Sequence, residues 1–329
     1  MTEAKFCNRQ IAPKRLAVVE VIHQMLDSLI THIHSNKPFL SLEVTPNLGA
    51  NLSSSLISEL KDCTKAHAFV CTDSPLARLK PSSLLSSLKL QNALGKPVIC
   101  TLSMRDRNSI ALSAEILAIN ELGVRAFLSL TGDPIKLGDC ADSKGVFESN
   151  SLKLAQIISQ LNAGYALSGK PLDSAVQRIY NFSTISSYAQ NPKTLESKIQ
   201  KKIASGCEAL FSQPVYSPES AEMLLQNIQR ANASTGKSAQ GKSAQLILGF
   251  FPVMSYKAAL FLRDKLPGVF IPDDWVERLQ KASQIGKDEE HKVGLDLSLQ
   301  LFKALQKIHN KIHFMSSNNF ALFKQFADI

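Results

Sequence analysis

Eight short apolar runs punctuate the chain, separated by longer stretches in which Leu and Ile recur every three or four residues. The runs are FLSLEV (39–44), AFVC (68–71), PVICTL (97–102), AFLSL (126–130), RIYNFS (178–183), ALFSQ (209–213), LILGFF (246–251) and KIHFM (311–315). They are apolar throughout and do not strictly alternate, which is how parallel strands covered on both faces read. Between them, segments such as SSSLISELKDC, SIALSAEILAINEL and TLESKIQKKIA carry the spacing of amphipathic helices.

Strand–helix alternation of this kind predicts a parallel sheet. Eight units in 329 residues predict an α/β fold of the (β/α)8 TIM-barrel type, a single domain over residues 38–329, in preference to an open doubly wound sheet. Residues 1–37 form an N-terminal extension, in which 13–35 read as an extra helix covering the barrel bottom. Residues 231–245, ANASTGKSAQGKSAQ, repeat GKSAQ, contain no core formers, and read as a flexible loop.

Composition narrows the class. No apolar run reaches the roughly 18 residues of a membrane span, and the first residues lead into no signal-peptide core. Six cysteines (Cys7, Cys63, Cys71, Cys100, Cys140, Cys207) are scattered without a CxxC pair. Reduced thiols in a cytoplasmic protein are the expectation. The net charge of +9 raises the question of nucleic acid. The Lys and Arg are dispersed, however, with no basic stripe interleaved with aromatics, so no nucleic-acid partner is expected. A generally basic surface is the plain reading, with a site for a phosphorylated or polycarboxylate small molecule next. The GKS triplets lack the upstream glycine spacing of a P-loop, and no GxGxxG follows a strand.

Chemistry in a barrel gathers where strands end. The first run carries Glu43 near its end, and a carboxylate there is costly to bury unless paired or used; a solvated strand-end Glu is the alternative. The second ends at Thr72 and Asp73, and the third runs into the charged TLSMRDRN (101–108). The fourth ends in LTGDP (130–134), where Gly132 permits a sharp turn and Asp133 projects a carboxylate. Gln213 closes the sixth, and Tyr256 and Lys257 follow the seventh. No serine elbow and no His/carboxylate metal set is evident, so no metal is expected, and the seven histidines read as structural or surface residues. An isolated acid without a metal or nucleophile suits proton-coupled chemistry on a bound cofactor.

At these positions the chain resembles the methylenetetrahydrofolate reductase family, from about residue 38 to 320. SLEVTPN is similar to the family's first-strand motif, an E flanked by hydrophobics and closed by Pro. TDSPLARLKPSSL resembles a TDNPLARxxMS segment of one bacterial branch, LSMRDRN resembles LTCRDRN, and LTGDP is the family's flavin-loop motif. KIASGCEALFSQPVYSPE resembles KVEAGADFxxTQPVFDPE, and GFFPVMSYKAALFLRDKLPGVFIPDD resembles GIxPxxSxxxAxFLxxxVPGxxIPDE. The resemblance implies FAD over the barrel mouth and NADH or NADPH as electron donor. The implied reaction is reduction of 5,10-methylenetetrahydrofolate to 5-methyltetrahydrofolate, supplying methionine synthesis. It implies Glu43 as the acid that opens the folate ring, with Asp133 tuning the flavin and orienting the substrate. Gln213 and Tyr256 would hold the pterin and the nicotinamide or aminobenzoate. Thr72, Leu130, Thr131, Gly132 and Asp133 would touch the flavin, and Lys201 and Lys202 its pyrophosphate.

Three departures stand out. Thr101 replaces a His that contacts FAD, and the loop 183–197 is short and lacks the usual acidic and histidine residues. SSNN (316–319) stands where TLNR is usual, so Asn319 replaces a basic substrate contact. A non-catalytic or partner-dependent folate-binding subunit on the same barrel is the alternative, as is a barrel enzyme for another one-carbon or pterin substrate. A homo-oligomer or a partner subunit is left open.

Overall fold

The computed structural model describes residues 24–329 apart from 141, 236–242 and 267. Eight parallel strands close into a barrel in sequence order: β1 (Phe39–Val44), β2 (Ala68–Cys71), β3 (Val98–Ser103), β4 (Ala126–Leu130), β5 (Tyr180–Ile185), β6 (Ala209–Pro214), β7 (Gln245–Phe250) and β8 (Lys311–Phe314). β8 closes on β1 with Phe39 opposite Lys311 and Ser41 opposite His313. Every strand lies within two residues of its expected run, and the (β/α)8 TIM-barrel fold is the one the alternation predicts.

A helix over 24–34, α1, precedes β1. The outer layer follows as α2 (Ser54–Asp62), α3 (Ser83–Leu94), α4 (Ser109–Glu121), α5 (Ser151–Asn162), α6 (Pro192–Ala204), α7 (Pro218–Thr235), α8 (Tyr256–Lys265), α9 (Asp273–Ile285), α10 (Lys287–Ile308) and α11 (Phe320–Ala327). Short polar side chains start several of them: Ser53, Asn108, Asn150, Asn191 and Ser255 each accept an otherwise unpaired N–H of the first turn.

Alternation along each strand sorts the core into two shells. Leu42, Phe69, Leu102, Leu210 and Phe250 face the helices. Phe39, Val70, Ile99, Leu128, Phe182, Phe211 and Ile247 fill the barrel interior, where Leu26, Leu29, Ile30 and Ile33 of α1 join them. The extra helix therefore plugs the barrel bottom. His34 Nε2 stands 3.0 Å from Glu208 Oε2, Tyr180 donates its hydroxyl proton to Asp27, and Lys311 Nζ donates to the Ser35 carbonyl at 2.6 Å. Residues 13–23 of the expected helix lie outside the described residues.

The expected loop at 231–245 overlaps regular structure at both described ends, α7 through Thr235 and β7 from Gln245. Residues 231–235 continue α7, where Ala231 is buried and Asn232 exchanges hydrogen bonds of 2.9 and 3.0 Å with Ala244. That pairing holds the helix end against the start of β7, and tertiary contact overrides the polar, small-residue composition. Residues 236–242 lie outside the described residues.

Candidate functional site

Because all strands run one way, their C-terminal ends share one mouth. The interior parity set by Phe39, Val70, Ile99 and Phe211 carries upward to Glu43, Thr72, Thr101 and Gln213. Glu43 is half-buried on β1 and, among the described residues, its carboxyl makes no hydrogen bond or ion pair. Loss of water around it pushes its pKa up from 4.5 to about 7. A group poised there holds a proton at neutral pH and can release it.

The chain around Glu43 is pinned. Asn318, after β8, accepts the Thr45 N–H at 2.9 Å and donates to the Thr45 carbonyl at 2.7 Å. Thr72 donates to Thr45 Oγ1 at 3.1 Å. One layer below, Ser41 Oγ lies 3.0 Å from His313 Nδ1, and the His313 ring meets the Phe211 ring edge-on at 5.3 Å. Burial drives His313 down to about 3, so this imidazole is neutral and puts no positive charge beneath Glu43.

Across the mouth, the β4 exit turns at Gly132, whose φ of +99° is left-handed. A Cβ there would come within 2.6 Å of Arg105 Cβ and 3.2 Å of Ser103 Cβ, so the turn needs glycine. Asp133 then accepts the Leu76 N–H at 2.7 Å, tying the β4 loop to the loop after β2. The charged segment after β3 is internally paired. Asp73 accepts from Ser103 N and Oγ, Ser83 Oγ and Arg107, while Arg107 also reaches Glu115 at 3.0 Å. Arg105 holds Asp106 through two hydrogen bonds and donates to the Ser74 carbonyl at 3.0 Å.

Beside the mouth, between the ends of β4, β5 and β6, opens a cavity of about 320 Å³. Thr131, Lys202 and Gln213 line it, together with Thr184, Ser186, Lys198 and the start of α5 at Asn150, Ser151 and Leu152. Thr131 Oγ1 accepts the Ser151 N–H at 3.2 Å, joining the β4 loop to that helix start. Lys202 donates to the Thr184 carbonyl, and burial lowers its pKa to about 8, opposed by the nearby Cys207. A helix N-terminus facing two lysines is a place for an anion.

The remaining expected residues are spread further. Lys201, next to Lys202 in sequence, is exposed on the outer side of α6 and does not line the cavity. Tyr256 is the first residue of α8. Its N–H donates to Glu290 at 2.7 Å and its ring packs half-buried against the outer core. Asn319 is exposed and caps α11 by accepting the Leu322 N–H at 3.1 Å. Thr101 is buried, at 4% exposure, and Leu130 is half-buried at the top of the inner core. Sequence reasoning missed Asn318, His313, Ser41, Lys198, Thr184 and the α5 start. Only Asn150, an N-cap residue just before an apolar periodic run, left a signal.

Fold and mouth define a (β/α)8 barrel protein with a carboxyl inside its opening whose pKa burial raises, and beside it a cavity lined by two lysines. The chain belongs to the methylenetetrahydrofolate reductase family, whose sequence pattern matches residues 28–328. No curated protein matches it. Among solved structures, it is similar to an uncharacterized protein from Clostridium thermocellum that binds two copies of 5-methyl-5,6,7,8-tetrahydrofolic acid. That likeness has a TM-score of 0.58 at 16% identity, covering 92% of this chain and 99% of that one. DmoA from Hyphomicrobium sulfonivorans gives 0.53 at 9% identity, covering 89% and 87%. The EDTA monooxygenase EmoA from Chelativorans sp. BNC1 gives 0.50 at 10% identity, covering 89% and 92%. At such identities the likeness is one of fold. Among the described residues, no helix is long and apolar enough to cross a membrane, and no group of three or more His, Cys, Asp and Glu side chains could hold a metal ion.

Proposed function

We propose that this protein is a flavin-dependent oxidoreductase that reduces 5,10-methylenetetrahydrofolate to 5-methyltetrahydrofolate with NADH or NADPH, feeding methionine synthesis. The observation that carries this reading is Glu43, an unpaired carboxyl at the inner rim of the barrel with a pKa near 7. A scaffold has no use for a proton held there, whereas opening a folate ring requires one.

FAD fits the residues beside the mouth through its anionic part. The N-terminus of α5, Lys202 and Lys198 would hold the pyrophosphate, and Thr131 and Gly132 would pass along the ring system. Bound there, FAD supplies hydride transfer. The chain's own contribution is acid chemistry and placement. Glu43 gives its proton to the folate nitrogen that leaves the methylene carbon, so that the five-membered ring opens and the carbon becomes an electron-poor iminium. Asp133, fixed by the Leu76 N–H, and Gln213 orient the pterin, and Tyr256 offers a ring to the aminobenzoate or nicotinamide. The neutral His313 leaves Glu43 with no cation to draw off its proton. Thr72 and Asn318 hold the backbone beyond it through Thr45.

The buried Thr101 offers no imidazole to a flavin, and that observation favours the second reading, a folate-binding subunit that needs a partner for chemistry. Colour separates the two. Purified protein reconstituted with FAD should be yellow and should bleach on adding NADH or NADPH under anaerobic conditions. Protein that stays colourless after reconstitution while still binding the folate would establish the second reading.

A further inference from the structure

The end of β6 departs from regular pairing beside the mouth. Against β7 the strand advances three residues, from Phe211 to Pro214, while its partner advances two, from Ile247 to Gly249. The extra residue makes a bulge at Ser212 and Gln213, a device by which a strand re-aims a side chain next to a site. Ser212 Oγ accepts the Gly249 N–H at 2.8 Å and donates to the Gln213 carbonyl at 2.9 Å, which holds the bulge in shape. A Cβ at Gly249 would stand 2.2 Å from the Ser212 carbonyl oxygen, so β7 closes on the bulge without room for a side chain. Gln213 lines the cavity beside the mouth. Against it sits the turn that follows α8. Gly268, at φ +86°, comes so near that a Cβ there would lie 2.6 Å from Gln213 Oε1 and 2.5 Å from Ser186 Oγ. The Gly268 carbonyl accepts the Tyr188 N–H at 3.0 Å. The buried Ser187 hydroxyl lies 3.1 Å from that carbonyl and 2.7 Å from the carbonyl of Pro214.

We propose, on the reading of Gln213 as a pterin contact, that Gly268 is the positioning residue for its carboxamide. The bulge fixes the backbone end of Gln213 and the turn at Gly268 bounds the amide end. Gln is among the side chains with most rotamer freedom to lose. Holding it in place before the ligand arrives removes that ordering cost from binding, so the turn sets how tightly the pterin is held. A side chain at 268 would occupy the space of the Gln213 amide and displace it. Ser187 keeps the turn in register, because its one hydroxyl reaches both Gly268 and Pro214, the residue after Gln213.

Calorimetric titration of the full chain with 5-methyltetrahydrofolate, in the presence of FAD, tests the proposal. Gln213→Ala and Gly268→Ala should each weaken binding about tenfold. The double variant should bind no more weakly than Gln213→Ala, because Gly268 acts through that side chain. Ser187→Ala keeps both residues and carries the test if Gly268→Ala does not fold. It should weaken binding about threefold in the wild type and leave Gln213→Ala unchanged. In turnover the same factors should appear in KM for the folate, with kcat within about twofold of wild type. Wild-type binding by Gln213→Ala would remove Gln213 as a pterin contact and take the role of Gly268 with it. A weakened Gln213→Ala whose loss adds to those of Gly268→Ala and Ser187→Ala would keep the contact and overturn the role of Gly268 alone.

Discussion

The side-chain amide of Asn318 closes two hydrogen bonds, 2.9 and 2.7 Å, on the backbone of Thr45, fixing the chain two residues beyond Glu43. Asn318 itself sits in the left-handed region at φ +66°, which asparagine tolerates better than most residues. Asn318→Ala loses both bonds and should destabilise the protein by about 1–3 kcal/mol. Displacement of Glu43 by even a fraction of an ångström should also lower the rate of folate reduction about tenfold or more, without changing flavin reduction by the nicotinamide. Urea denaturation and the two half-reaction rates check this. An unchanged folate rate would show that Glu43 is placed without Asn318.

His313 makes stability acid-sensitive. Its pKa in the folded protein, about 3, lies below the 6.5 of the free side chain, so the unfolded state takes up the proton first. Its contribution is whole above pH 6.5 and is lost as pH falls, by about 1.4 kcal/mol per pH unit. Between pH 6.5 and 5 the wild type should lose roughly 2 kcal/mol from this group, and His313→Gln should not show that loss. Denaturation midpoints for both proteins at the two pH values decide it.

Glu43 acts in the opposite direction. Its folded pKa of about 7 lies above the ordinary 4.5, so stability is whole below pH 4.5 and is lost as pH rises through 7. Glu43→Gln should therefore stabilise the protein at pH 8 by about 1–3 kcal/mol and change little at pH 4.5. A loss of stability at pH 8 would mean that the carboxylate has a partner that stabilises its charge.

Lys202 and Lys201 make a matched pair for testing the cavity. Lys202 lines it beside the α5 start, and Lys201 faces solvent. Lys202→Met should weaken FAD binding tenfold or more, the cost of about one charge-assisted hydrogen bond, and Lys201→Met should weaken it little. With no imidazole at Thr101, wild-type affinity should already be modest for this chemistry. Fluorescence titration of all three proteins gives the comparison. Equal effects at the two lysines would place the pyrophosphate elsewhere.

The barrel was legible because buried parallel strands leave continuous apolar runs, and eight such runs set the closure. Inner parity was not legible, since the runs are apolar throughout and buried Phe lies on both faces, Phe39 and Phe211 inward and Phe69 and Phe250 outward. What escaped were pairings made across long sequence distances. Asn318 meets Thr45 from 273 positions away, and Ser41 meets His313 from 272. Neither leaves a local pattern. The Lys201–Lys202 doublet was ambiguous for a different reason: adjacent helix positions point about 100° apart, so only one of them can face a given cavity. Asn319 stood out as a missing basic residue, whereas the fold uses it to start α11.

The most direct test of the account is Glu43→Gln in stopped flow, with the two half-reactions followed separately. The amide keeps the size and a hydrogen-bond donor but has no transferable proton. Flavin should bind, and NADH or NADPH should reduce it at the wild-type rate, because that step needs no acid on the folate. Reoxidation by 5,10-methylenetetrahydrofolate should slow by about two orders of magnitude or more, the scale of a lost general acid. In the wild type, that same step should slow as pH rises above about 7, where Glu43 gives up its proton. If the variant passes its electrons to the folate at the wild-type rate, Glu43 is not the acid and the proposed function loses its central residue.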